Sequence, residues 1–256
     1  MLPGRPPTAW SSDEGPWRRR SALAVHVYTA SGTALALLIV LAAIEGDAVR
    51  ALWLGLVALV IDGTDGMLAR RMRVKERIPW FDGARLDDIV DYLTYAFAPM
   101  LLLWTDDRLP AGALGTALAM LPLLASSYQF CRVDAKTDDH VFLGFPSYWN
   151  VVAFYAIVLD LGPAVVATVL VVCSVLVFVP VGYLYPSRTK VFRTVSLVLT
   201  AVWLLSYAGL LLQVPDPHPL LVAASLAYLV YYVGVSLYLT SKRRRGGPTA
   251  AAVAES

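Results

Sequence analysis

From about residue 22 onward, the chain is a succession of apolar runs, each roughly 20 residues long and separated by short polar breaks. A helix of that length crosses the hydrocarbon core of a bilayer. Lipid admits only spanning structures that satisfy every backbone N–H and C=O internally. The runs lie near 22–44, 50–71, 83–104, 110–132, 147–161, 163–184, 192–213 and 217–240. The expected fold is therefore all-α, a polytopic integral membrane helical bundle of about eight transmembrane helices. Seven helices is the alternative, with 147–184 as one. Asp160-Leu161-Gly162-Pro163 is a helix-breaking turn, however, and an unbroken helix of that length would overrun the bilayer core. Composition agrees: 58% of residues are hydrophobic and 16% charged, against about 25% charged in ordinary soluble domains.

The charges orient the bundle. With an even number of spans, all of the 21 basic residues except Arg50 and Arg108 fall in segments on one side, which the positive-inside rule makes cytoplasmic. Both termini are then expected in the cytoplasm. Residues 1–20 read as a disordered or interfacial arm, with Trp10 and Trp17 at headgroup level. Residues 21–241 form the membrane domain, and 242–256 form a basic, disordered tail. A cleaved signal peptide is a weaker alternative for the start, because the first apolar run is too long for one. Cys131 and Cys173 lie in apolar stretches without metal-ligand spacing and read as packing residues.

The chemistry concentrates between the second and third runs. Asp62 and Asp65 are three apart, and Asp87 and Asp91 four apart, so each pair shares a helix face. A helix, a turn and a second helix would bring the pairs together at the cytoplasmic mouth. Acids within a membrane helix cost on the order of 2.5–3.5 kcal/mol each at mid-bilayer. Several converging carboxylates therefore require compensation, and a hard divalent cation provides it. Helix-end charges without a ligand are the bland alternative. Gly66 and Gly83 let a backbone approach a bulky group, Ala69 keeps the same face open, and Arg70 is placed to reach phosphate.

The pattern Asp62-x2-Asp65-Gly66-x2-Ala69-Arg70, then Gly83-x3-Asp87-x3-Asp91, resembles the signature of the CDP-alcohol phosphotransferases. The spacer from Arg71 to Asp82 is longer than is usual in that family, but a bacterial, choline-using branch shares it. Resemblance to that branch extends to Val74-Lys75-Glu76, Pro79-Trp80, Asp91-Tyr92, the stretch Ala24 to Gly32, Lys136-Thr137-Asp138, Gly144-Phe145-Pro146 and Trp149-Asn150. It covers about residues 22 to 240.

The resemblance implies transfer of a phosphatidyl group from CDP-diacylglycerol to choline, with release of CMP, in a bacterial inner membrane and with the site facing the cytoplasm. It implies Mn²⁺ or Mg²⁺ as cofactor, with Asp62, Asp65, Asp87 and Asp91 as ligands and Asp91 also the general base. Gly66, Ala69, Arg70 and Gly83 would line the nucleotide and its phosphates, with hydroxyl donors from Thr29 and Ser31. Those two hydroxyls could equally bond back to their own helix. Choline offers no hydrogen bond through nitrogen, so aromatic faces and an acid suit it. Tyr92, Tyr95, Tyr148, Trp149, Asn150 and Glu76 are the candidates, although each taken singly also fits packing. His26 is a weaker candidate for binding. No nucleic-acid partner is expected, and membrane enzymes of this family are commonly homodimers. Two alternatives remain open at this point. One is the same chemistry on serine, inositol or glycerol phosphate; the other is a cation transporter, since intramembrane acids also mark ion paths.

Overall fold

The structure, a computed structural model, describes residues 16–134, 141–185, 189 and 192–245. Trp10, Lys136, Thr137, Asp138, His140, Pro186, Arg188, Lys190 and the tail beyond residue 245 lie outside the described residues. The chain is mostly helical. Among the described residues, five helices are long and apolar enough to cross a membrane: Trp17–Ile44, Ala48–Arg71, Ala113–Cys131, Arg193–Leu211 and Pro219–Arg243. They belong to α1 (Pro16–Ile44), α2 (Ala48–Arg71), α6 (Ala113–Cys131), α9 (Arg193–Leu211) and α10 (Pro219–Arg245).

The third apolar run folds in three joined parts: α4 (Gly83–Asp91), a π-helical segment (Tyr92–Phe97) and α5 (Ala98–Thr105). Pro99 explains the wide turns. It has no N–H for the carbonyl four residues back, so the ladder loosens there, and the Ala98 amide reaches the Leu93 carbonyl five residues back. A short helix, α3 (Val74–Arg77), links α2 to α4. It is entered through Arg73, whose φ of 48° lies in the left-handed region.

The fifth and sixth runs are two shorter helices, α7 (Trp149–Val158) and α8 (Pro163–Val177), broken at the expected place, with Asp160 at φ 51°. The helix expected to continue to residue 184 stops at Val177. Pro180 and Gly182 cannot prolong it. Instead Gly182–Leu184 forms β2, antiparallel to β1 (Val141–Leu143), with Phe142 opposite Tyr183. This small sheet departs from an all-α expectation. It is held from α10, where Thr240 Oγ1 accepts from the Gly182 amide at 2.8 Å and Ser236 Oγ from the Leu184 amide at 3.0 Å.

Lipid supplies no hydrophobic drive between helices, so close packing and interhelical hydroxyl bonds hold the bundle. One core joins α1, α2, α5, α7 and α9, where Phe154 and Tyr207 stack at 3.6 Å. Tyr155 and Ser225 share a 2.6 Å bond between α7 and α10, and Trp203 Nε1 donates to Tyr155 at 2.9 Å. A second core joins α5, α6, α7 and α8 around Trp149, Met100 and Leu170. The outer surface carries exposed Leu205, Leu212, Val230 and Leu220. A water-soluble chain would bury such side chains; here they fit a lipid-facing exterior.

Candidate active site between α2 and α4

α1 packs along α2 and crosses α4, so the C-terminal turns of α2 and the start of α4 face each other beside it. Asp62 comes from α2, and Asp87 and Asp91 from one face of α4. Each offers a carboxylate oxygen, and the three atoms lie within 4.8 Å of one another. All three residues are partly exposed. Three acids this close would repel strongly without a cation, and an all-oxygen donor set suits a hard divalent ion. The residues therefore fit the expected metal.

Asp65 stands outside that trio. It is buried, one helical turn from Asp62, and its Oδ2 accepts the Thr29 hydroxyl at 2.7 Å. Thr29, expected near the nucleotide, holds this acid in place from α1. Ser31 donates to the Tyr28 carbonyl at 2.6 Å, the backbone-bonded alternative for that residue. Tyr28 and Thr64 share a 2.8 Å bond one position away from each of Thr29 and Asp65 and tie α1 to α2 again.

Tyr95 lies in the π-helical segment and donates from its hydroxyl to Asp62 Oδ2 at 2.6 Å. It thus fixes the orientation of one of the three acids. Sequence reasoning placed Tyr95 against choline but missed this bond. Its position four after Asp91 was the available signal, because i and i+4 share a helix face.

The nucleotide candidates lie close by. Gly66 and Ala69 are half-buried, and Arg70 is exposed, its Nη1 passing over Gly66. Gly83 has a different neighbour from the one expected. A Cβ there would come within 2.7 Å of His26 Cε1, so its missing side chain makes room for the α1 imidazole, which also packs on Phe81 at 4.4 Å. Asp82 caps α4 by accepting from the Ala84 and Arg85 amides at 3.1 and 3.2 Å.

The choline candidates divide into separate places. Tyr95 meets the half-buried Tyr148 edge-on at 6.2 Å. Tyr92 turns toward α6 and packs against Phe130. Trp149 is fully buried, with Nε1 donating to Ser126 at 2.7 Å. Asn150 is buried in α7, where its Oδ1 accepts the Val151 amide. Glu76 is exposed on α3, where Val74 and the following Ile78 pack against Ala22 and Val25 of α1.

Five helices long and apolar enough to cross a membrane, with an acid trio that could hold a metal ion between α2 and α4, mark the class of a helical membrane protein with a metal-capable site. No protein-family model matches the chain. Phosphatidylcholine synthase of Pseudomonas aeruginosa is 40% identical over 228 residues, covering 89% of this chain and 95% of the relative. The Legionella pneumophila protein of that name is 39% identical over 84% of this chain and 87% of its own length. The one from Borreliella burgdorferi is 34% identical over 86% and 94%. The chain belongs to the phosphatidylcholine synthase family.

Proposed function

We propose that this protein is a CDP-diacylglycerol–choline O-phosphatidyltransferase, making phosphatidylcholine and CMP. The observation that carries the proposal is near-full-length identity to several phosphatidylcholine synthases, at 34–40%. The acid trio is its geometric counterpart.

In this reading Asp62, Asp87 and Asp91 hold a divalent cation, Mn²⁺ or Mg²⁺, with Asp65 as the fourth carboxylate of the motif. When bound, the ion supplies positive charge beside the substrate pyrophosphate and the leaving phosphate. A carboxylate oxygen of Asp91 takes the proton from the choline hydroxyl. The choline oxygen then bonds to the lipid-side phosphorus, and the bond from that phosphorus to the bridging oxygen of CMP breaks, with its electron pair leaving on CMP. Thr29 and Tyr95 keep Asp65 and Asp62 oriented throughout. Gly66, Ala69 and Arg70 bound the nucleotide and its phosphates, with Gly83, which makes room for His26, and Ser31 at the edge of that region. Tyr95 and Tyr148 face the choline; Tyr92, Trp149 and Asn150, which pack into the bundle, and Glu76, exposed on α3, are left outside the seat.

Around this site, residues 21–241 form one membrane domain of about eight transmembrane helices. The composite helix Gly83–Thr105 and the shorter α7 and α8 join the five long ones. Both ends and the acid site face the cytoplasm of a bacterial inner membrane, as the basic residues favour. A homodimer is the proposed assembly.

The test supplies purified protein with CDP-diacylglycerol, Mn²⁺ and labelled choline. Labelled lipid and CMP should appear in equal amounts, vanish on chelation and return with added metal. Turnover with serine or inositol but not choline would overturn the acceptor, and no CMP with any alcohol would overturn the enzyme class. Asp91→Asn should lower kcat by about a hundredfold to ten-thousandfold while leaving thermal unfolding near wild type. Retained activity would remove Asp91 as the base.

A further inference from the structure

We propose that Tyr232, on the last helix, completes the seat for the quaternary ammonium of the acceptor and sets the preference for a permanently charged alcohol. This rests on the choline reading above. The geometry starts at the acid trio. Tyr95, bonded to Asp62 at 2.6 Å, presents its ring to Tyr148 at 6.2 Å and 74°; Tyr148 in turn meets Tyr232 at 6.1 Å and 59°. The three rings come from three separate elements: the π-helical segment, the N-cap of α7 and α10. Rings so steeply inclined turn their faces in different directions and form walls, where a parallel stack would cover its own faces.

The ring of Tyr232 is buried and held in place through its hydroxyl. Its hydroxyl donates to the Leu184 carbonyl at 3.1 Å in β2. That strand is fixed by Ser236 and Thr240, one and two helical turns further along α10. Tyr183 and Tyr228 back the same ring at 6.4 Å each. The Tyr232 hydroxyl also hydrogen-bonds the side chain of Tyr148, which sets the two rings against each other. A methyl-covered cation, which donates no hydrogen bond, is attracted to aromatic faces by their quadrupole, with the charge within about 6 Å of a ring centre. Asp62 at the other end of the row adds negative potential where the cation would rest. Nothing in the spacing of α10 announces this role. Tyr232 lies in the row Tyr228-Leu229-Val230-Tyr231-Tyr232, where every residue suits a membrane helix equally well.

The experiment uses the purified full chain with CDP-diacylglycerol and Mn²⁺. It compares choline with its neutral isostere, the alcohol in which a quaternary carbon replaces nitrogen. The readout is the ratio of kcat/KM for the two alcohols. Tyr232→Leu should lower that ratio at least about tenfold, with KM for CDP-diacylglycerol within about twofold of wild type. A packing role alone would affect both alcohols alike. Tyr232→Phe, followed by Tyr232→fluorinated Phe at increasing fluorination, keeps the shape of the ring while draining its quadrupole. Choline turnover should fall stepwise and isostere turnover should not. An unchanged ratio across the fluorinated series overturns the proposal even if the Leu variant fails to fold. Wild-type protein that makes no lipid from choline overturns the function reading instead.

Discussion

At the scale of single residues, the site depends on hydroxyls that orient acids. Tyr95 and Thr29 each donate one short bond, to Asp62 and Asp65 respectively. Groups that orient metal ligands commonly affect metal affinity or activity by about 10–100-fold. Tyr95→Phe should therefore raise the Mn²⁺ concentration for half-maximal activity by about tenfold or more, measured by metal titration of the CMP-release assay. The same change keeps the ring for choline, so KM for choline should move much less. Thr29→Val leaves the buried Asp65 short of one partner. It should destabilise the fold by about 1–3 kcal/mol, read as a lower unfolding temperature in detergent. The four acids, and their suitability for a divalent metal, were evident in the sequence from their spacing. Which of them meet, and who orients them, was not, because Thr29 and Tyr95 contact the acids across helix interfaces that no local period encodes.

At the scale of elements, the crossing of α1 over α4 decides how close the two halves of the acid motif come. Gly32 admits Val90, and Gly83 admits His26. A glycine inside a helix costs about 1 kcal/mol relative to alanine, a cost that close approach explains at Gly32; Gly83, the first residue of α4, is explained by the room it leaves for His26. Gly83→Ala should push α1 away from α4 one turn before Asp87 and reduce kcat. Adding His26→Ala should restore part of that loss, because it removes the group that the new methyl meets. A double-mutant cycle on kcat measures the coupling, and strictly additive losses would contradict it. The apolar runs located the helices well. They missed the β1–β2 pair and the early end of α8, since a short strand and the end of a helix look alike in an apolar run. They also missed the π-helical segment, whose only local sign is Pro99.

At the scale of the whole molecule, the acid site lies near one end of the composite helix Gly83–Thr105, and a cluster of charges lies beyond the other. There Arg108 bonds Asp106 at 2.8 Å and Asp160 at 2.6 Å, joining the α5–α6 turn to the α7–α8 turn. Burial alone would lower the Arg108 pKa, but the bonds to Asp106 and Asp160 outweigh it and leave it above the ordinary arginine value. Asp160 is largely exposed, so the clasp is worth only on the order of 1 kcal/mol. Arg108→Ala should lower the unfolding temperature slightly and leave both substrate KM values unchanged, since the cluster is roughly 25 Å along the helix from Asp87.

The sequence by itself determined that this is a helical membrane protein, because a run of about 20 apolar residues has few other stable states. It also determined where the acids lie along their helices, because helical periodicity is local. Only the tertiary structure decided that Asp62, Asp87 and Asp91 form the close trio while Asp65 is held by α1, and that a tyrosine of the last helix joins the row beginning at Asp62. Those outcomes depend on how helices rotate and approach one another. That is set by side-chain packing and by the loosened turn before Pro99, which act between segments far apart in the chain.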